Sequence, residues 1–327
     1  MKSIVTWLIV ALVLFGLFGA YSTVFPGTSS PAKGPMSDGS ELTDRLKDHV
    51  ESIAQGTSPR DKPGPIQEAG DYLERQLRRA GHDVKSIDAG PGASGSKTLV
   101  AEVRGSKYAN EIVIVASHYD GPRASPGADS GASGAAVLVE VARSLATTAH
   151  ERTLRFVLFP DGWKRDGEPD SAAGIYAREC KKAGEKIAAV VYLDSVGLYD
   201  DNETQTYPFP LMLVFPARAD FLAVVGGYHC RDLTSKTTEL LRTGAGLAIE
   251  GLILPKFAPG TGFSPHAAFW DAGMPAVVLT DTGEWRSARF GSPSDTHDRL
   301  DYARMSRVVV GVSRTVGLLV KKATLAI

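Results

Sequence analysis

The apolar positions begin as one unbroken run. From Ile4 to Ala20 no polar face interrupts the hydrophobic side chains, and the length is about that of one hydrocarbon-core crossing. This predicts a segment over residues 1–24 that sends the chain across a membrane, either kept as a single-pass anchor or cleaved near Ala20-Tyr21-Ser22. The stretch FPGTSSPAKGPMSDGS, Phe25 to Ser40, has no apolar periodicity and reads as a flexible linker, residues 25–40. Helical spacing then takes over. Leu42, Leu46, Val50 and Ile53 share one face, and a second helix from Pro65 to Ala80 carries Ile66, Ala69, Leu73 and Leu77 and stops at Gly81.

Beyond Gly81, short β-rich runs alternate with helical ones. Thr98 to Val103, Ile112 to Ala116, Leu154 to Phe159, Ala188 to Leu193, Leu211 to Phe215 and Ala276 to Thr280 read as strands. Between and after them, Ala132 to Ala146, Ser171 to Lys182, Asp232 to Leu241 and Tyr302 to Lys321 read as helices. Such alternation predicts an α/β fold of three layers, with a largely parallel mixed central sheet flanked by helices. Residues 41–327 are expected to form a single domain.

Composition narrows the function classes. With 36 basic and 37 acidic side chains, the net charge of -1 creates no field that attracts nucleic acid, so none is expected as a partner. Cys180 and Cys230 are the only cysteines, in no pair spaced for zinc or redox chemistry; they are either separate buried thiols or one disulfide. The N-terminal segment places the domain at the cell membrane outside the cytoplasm, or secreted if that segment is removed.

In open α/β sheets, ligands gather beyond the carboxyl ends of the strands, and the polar residues here follow that rule. His118 and Asp120 lie just after one strand, Asp194 ends another, and Asp129 stands in the loop PGADSGASG before a helix. One imidazole and two carboxylates suit zinc, which takes three protein ligands in catalytic sites and leaves a position for water. Asp120, two residues past His118, is expected to accept the ring N–H and fix its tautomer.

The block IVIVASHYDGPRASPGADSGASGAAVLVEVARSLA, the later VVYLDSVGLYD and the closing SPHAAFWDAGMPAVVLTDTGEWRSARFGSPSDTHDRLDYARMSRVV resemble the zinc-dependent exopeptidases related to bacterial leucyl aminopeptidase, a family that includes the glutaminyl cyclases. The resemblance runs from about Asp44 to Lys321. It implies that His118 binds one zinc, that Asp129 bridges two, and that Asp194 is the matching ligand from a later strand. It also implies a hydroxide shared by two metals and a glutamate that moves protons.

Two parts of that pattern are changed. The family follows the strand like RTLRFVLF with Asp-Gly-Glu-Glu, whereas PDGWKRDGEPD places Trp163 and Lys164 after Asp161-Gly162, or Glu168 and Pro169 after Asp166-Gly167. Glu168 is the candidate base, with Asp166 or Asp170 as substitutes. In the closing block, Gly291 stands where a histidine ligand is expected; His297 and His266 lie near in sequence, and Pro265 replaces an aspartate. The expected centre therefore holds one zinc on His118, Asp129 and Asp194. Two functions remain: an exported or tethered aminopeptidase-like hydrolase of peptides or small amine-bearing substrates, or an inactive domain of the same fold that binds peptides or a protein partner.

Overall fold

The computed structural model describes residues 40–54, 60–90, 95–163, 171–207, 212, 216–255 and 264–321. Among the described residues no helix is long and apolar enough to cross a membrane; the expected anchor over residues 1–24 lies outside them, with nearly all of the linker.

The helical faces read from the sequence are the ones buried. In α1 (Ser40–Ile53) Leu46, Val50 and Ile53 are buried, and in α2 (Pro63–Arg79) so are Leu73 and Leu77. Pro63 starts α2, where a missing N–H costs nothing. There follow β1 (Val84–Asp88), β2 (Lys97–Val103), β3 (Tyr108–His118), α3 (Gly134–Leu145), β4 (Arg152–Phe159), α4 (Ala172–Lys182) and β5 (Lys186–Leu193). The chain continues through β6 (Asp200–Thr204), β7 (Arg218–Ala219), β8 (Phe221–Gly227), α5 (Arg231–Gly244), β9 (Ala248–Leu254), α6 (His266–Asp271), β10 (Ala276–Thr280) and α7 (Tyr302–Leu319).

The main sheet runs β1-β2-β4-β3-β5-β10-β8-β9, and β6 and β7 form a separate pair. Its centre is parallel: β3 pairs with β4 and β5, and β5 with β10. The antiparallel pairings are β1 with β2, β2 with β4, and β10 with β8. Ile112 to Ala116 are buried throughout, as a strand covered on both faces must be. Helices α1, α2, α3, α5 and α7 pack together as one group, and α4 and α6 form another that meets β5 and β10 through α6. The buried side chains make one core. Strands β1, β8 and β9 extend the sheet beyond the runs read from the sequence, and the expected strand at 211–215 lies, apart from Met212, outside the described residues.

Parallel register aligns the chemistry. Ala116 of β3 stands opposite Tyr192 of β5, and Leu279 of β10 opposite Leu193, so His118, Asp194 and Asp281 leave neighbouring strands at the same edge. Cys180 and Cys230 are separate buried thiols.

One polar network pins the first helices to this frame. Glu140 of α3 accepts from His49 Nε2 at 3.0 Å and pairs with Arg45 Nη2 at 2.9 Å, while His49 Nδ1 meets the Tyr72 hydroxyl at 2.8 Å. Burial pushes the Glu140 carboxyl up, but the His49 and Arg45 hydrogen bonds overcome it and bring it from 4.5 down to about 2. A depressed carboxylate stabilises the fold fully above its unfolded value and loses that contribution as pH falls through the folded one. We therefore expect urea stability to drop between about pH 4.5 and pH 2. Glu140→Gln should cost about 2 kcal/mol at neutral pH and flatten that acid limb. An unchanged acid limb in the variant would show that other carboxylates control it.

Candidate active site

The carboxyl edge of the sheet is built under backbone constraint. Ser195 (φ 55°) and Thr282 (φ 85°) are non-glycine residues in the left-handed region, and each directly follows a carboxylate, Asp194 after β5 and Asp281 after β10. Such conformations cost free energy and persist where the surrounding structure enforces them. Between β3 and α3, residues Ala128–Ser133 form a π-helical turn, a local widening that re-aims side chains.

His118 is 3% exposed. Its Nε2 lies 3.3 Å from the Ser130 carbonyl and its Nδ1 3.4 Å from the Tyr192 hydroxyl. Gly162 closes over the ring so tightly that a Cβ there would overlap it. Asp120 does not orient His118, contrary to the expectation. Its carboxylate accepts from the backbone N–H of Gly162 at 2.6 Å and of Trp163 at 3.0 Å. A fully buried carboxylate takes the strongest donors in reach, and here they are the two amides of the loop after β4. Burial raises the Asp120 carboxyl above its ordinary range.

Asp129 is fully buried within the turn. Its Oδ1 accepts from Gly197 N–H at 2.9 Å, and its Oδ2 has no hydrogen-bond partner. Burial, then the neighbouring Asp281 and Asp295, pushes its carboxyl well up; burial also raises Asp281. Asp194 accepts from its neighbour Ser195 Oγ at 3.2 Å. Glu168, the candidate base, lies outside the described residues, as do Asp166 and Asp170.

The expected grouping of His118, Asp129 and Asp194 is therefore not found. Among the described residues, no three of the His, Cys, Asp and Glu side chains stand together in position to hold a metal ion. Asp129 Oδ2 is buried without a hydrogen-bond partner, and the His118 nitrogens face a carbonyl and a phenol. As arranged, these residues do not fit the implied zinc centre. Of the nearby histidines, His266 is buried edge-on to Trp270, with ring centroids 4.5 Å apart, and His297 Nδ1 lies 3.1 Å from Glu51.

Trp163 lies beside His118 instead. Its indole N–H donates to the Ser130 carbonyl at 2.6 Å, the oxygen that His118 also approaches, and its ring stands 5.5 Å from Phe290. Gly291, at φ 64°, lies against the same indole: a Cβ there would come within 3.2 Å of it. The two sequence departures thus meet in space. A histidine at 291 would be strained by the backbone and crowded by Trp163.

Two supports escaped the sequence reading. Asp295 accepts from Asp129 N–H at 2.8 Å, Ser130 N–H at 3.2 Å and Ser130 Oγ–H at 2.6 Å, so it holds the turn from 165 residues away. Arg60, 2% exposed, donates to the carbonyls of Tyr119, Ile53, Pro126 and Gly127 at 2.6–3.1 Å. Burial lowers its guanidinium to about 10, opposed by Asp120 and Asp295. Asp281, by contrast, had a sequence signal, since it follows an apolar strand just as Asp194 does.

The family model "Peptidase family M28" matches residues 98–316. The chain is similar to the uncharacterized protein YfbL of Escherichia coli (strain K12), 28% identical over 285 residues, covering 82% of this chain and 86% of that protein. A probable zinc metalloprotease of Pyrenophora teres f. teres (strain 0-1) is 26% identical over 210 residues, 57% of this chain and 42% of that protein. Among solved structures, the aminopeptidase of Aneurinibacillus sp. strain AM-1 superposes with a TM-score of 0.59 at 15% identity, covering 84% of this chain and 93% of that one. The glutaminyl cyclase of Porphyromonas gingivalis gives 0.62 at 20%, covering 84% and 97%.

Because Arg60 satisfies several buried carbonyls at once, Arg60→Met should destabilise the fold by about 3–5 kcal/mol, the range for stripping one partner from a buried charged network. Denaturant unfolding at neutral pH measures this; a loss below about 1 kcal/mol would mean that water takes over those carbonyls.

Proposed function

This chain belongs to peptidase family M28, and on that premise we propose that it is a peptidase-fold domain with an impaired hydrolytic centre, which engages peptides by binding them. The family and the aminopeptidase-like fold support a peptide-hydrolase lineage, and the zinc metalloprotease relative points to zinc as the metal of that lineage. The observation that carries the proposal is the hydrogen bond from the Trp163 indole to the Ser130 carbonyl, made beside Gly291. A bulky neutral donor stands where the resemblance puts a proton-transferring glutamate, and no imidazole faces it from position 291. Indole can neither take up a proton from water at neutral pH nor ligate a cation through its N–H.

What the cleft keeps is recognition chemistry. Trp163 is 37% exposed and packs against Phe290, giving an aromatic surface for apolar side chains. Asp194, at the same strand edge, supplies a carboxylate suited to a free amine. We further propose that residues 1–24 tether the domain to the membrane or export it, on the strength of the apolar run from Ile4 to Ala20.

One observation favours a second reading. His118 and Asp194 each stand two residues beyond the paired Ala116 and Tyr192, so the strand register still supports a half-site that could recruit one zinc, with Glu168 as base. The readings separate on metal content and turnover of the full-length chain. The impaired centre predicts well under one zinc per chain and no aminoacyl-anilide hydrolysis above that of His118→Ala. One tightly held zinc per chain with turnover abolished by His118→Ala would overturn it in favour of the one-zinc hydrolase.

A further inference from the structure

A second concave surface lies along the flank of α4, lined by none of His118, Asp129, Trp163 or Asp194. Its volume is about 500 Å³, within the range of ligand-binding clefts. One wall is α4, which presents Ile175 and Tyr176; the other is the face of the outer strands, where Ile87 of β1 and Val100 of β2 point the same way. The antiparallel register explains that shared face, with Lys85 opposite Val100 and Ile87 opposite Thr98. Ile87 is 44% exposed, an apolar side chain left uncovered on a strand whose other apolar residue, Val84, is buried.

The rim is acidic. Asp83, Asp88, Glu102, Glu179 and Glu185 line the groove against Lys85 and Arg155. Arg155 is shared by Glu102 at 2.8 Å and Glu185 at 2.7 Å, while Asp83 lies 3.5 Å from Arg78 and Glu179 3.6 Å from Lys182 in exposed pairs that bind weakly. The edge of the sheet adds backbone capacity: β1 is terminal in the strand order and pairs only with β2 among the described residues. An unpaired edge is a template for an added strand.

We propose that this groove is a docking site for an extended, basic polypeptide segment, which adds a strand to the free edge of β1. Its alternate apolar side chains enter between Ile87 and Ile175, and its lysines or arginines meet the carboxylate rim. Charge complementarity selects this occupant, because five carboxylates line the groove against two cations, a balance that favours a basic segment over an acidic one. The site is separate from the cleft, and it stands or falls independently of zinc or hydrolysis there.

The test uses the full-length chain and two fluorescein-labelled peptides, one alternating lysine with valine and one alternating glutamate with valine. The lysine peptide should bind, and the glutamate peptide should bind about tenfold or more weakly. The exposed double variant Asp88→Lys/Glu179→Lys should lose about tenfold in affinity for the lysine peptide, with unchanged thermal unfolding. Amide hydrogen exchange of the unmodified chain should slow at residues 84–88 when the lysine peptide is present. Equal binding of the two peptides, indifference to the charge reversal, or no added protection at 84–88 would each overturn the proposal.

Discussion

A guanidinium taken out of water must find an acceptor for each of its N–H groups, and in this protein Arg60 finds backbone carbonyls. Its donors reach Ile53 at the end of α1, Tyr119 just after β3, and Pro126 and Gly127 at the start of the π-helical turn. The loop between β3 and α3 is therefore wrapped around one fixed cation. Close approach is required throughout: a Cβ at Gly131 would overlap the Asp120 carbonyl and crowd the Arg60 guanidinium, which is why small residues fill this stretch. With Arg60 below and Asp295 capping from the far end of the sequence, the turn has one conformation, and that conformation aims the Ser130 carbonyl at His118 and Trp163.

The chemistry of the edge follows from that carbonyl. In a metal centre the lone pairs of imidazole and carboxylate converge on a cation; here indole and imidazole converge on an oxygen. Asp120 locks the arrangement by binding the amides that carry Gly162 and Trp163, and Gly162 must be glycine for the loop to close on the His118 ring. Burial and the neighbouring Asp281 raise the Asp129 carboxyl well above its ordinary range. Among the described residues His118 and Asp194 have local protein partners, whereas Asp129 Oδ2 has none; the impaired centre proposed for this M28 member is a repacked one.

Much of the fold was legible because burial leaves a periodic trace. The continuous apolar runs of β3, β4, β5 and β10 and the helical faces of α1, α2 and α7 were readable, since each is covered by the core and must be apolar to be so. The edges were not. β1 has one buried residue and then four exposed ones, so it lacks alternation, while β8 and β9 are interrupted by glycine at 226, 227 and 251. At the site, strand-end position places His118 and Asp194 at the carboxyl edge of the sheet, and the same signal marks Asp281. The role of Asp129 came from motif likeness alone, since no local pattern marks a carboxylate buried in a tight turn. Arg60 and Asp295 act across long sequence separations through backbone groups, and no local pattern marks such contacts.

The repacked centre is tested most directly by asking the folded protein for a metal where the resemblance implies one. Crystals of the protein grown with excess zinc, with anomalous diffraction measured at the zinc edge, locate any ion without relying on turnover. The proposal predicts no anomalous peak within coordination distance of His118 and Asp194, with the Trp163 indole still bonded to the Ser130 carbonyl. A peak bridging those two residues, with Trp163 displaced, would contradict it.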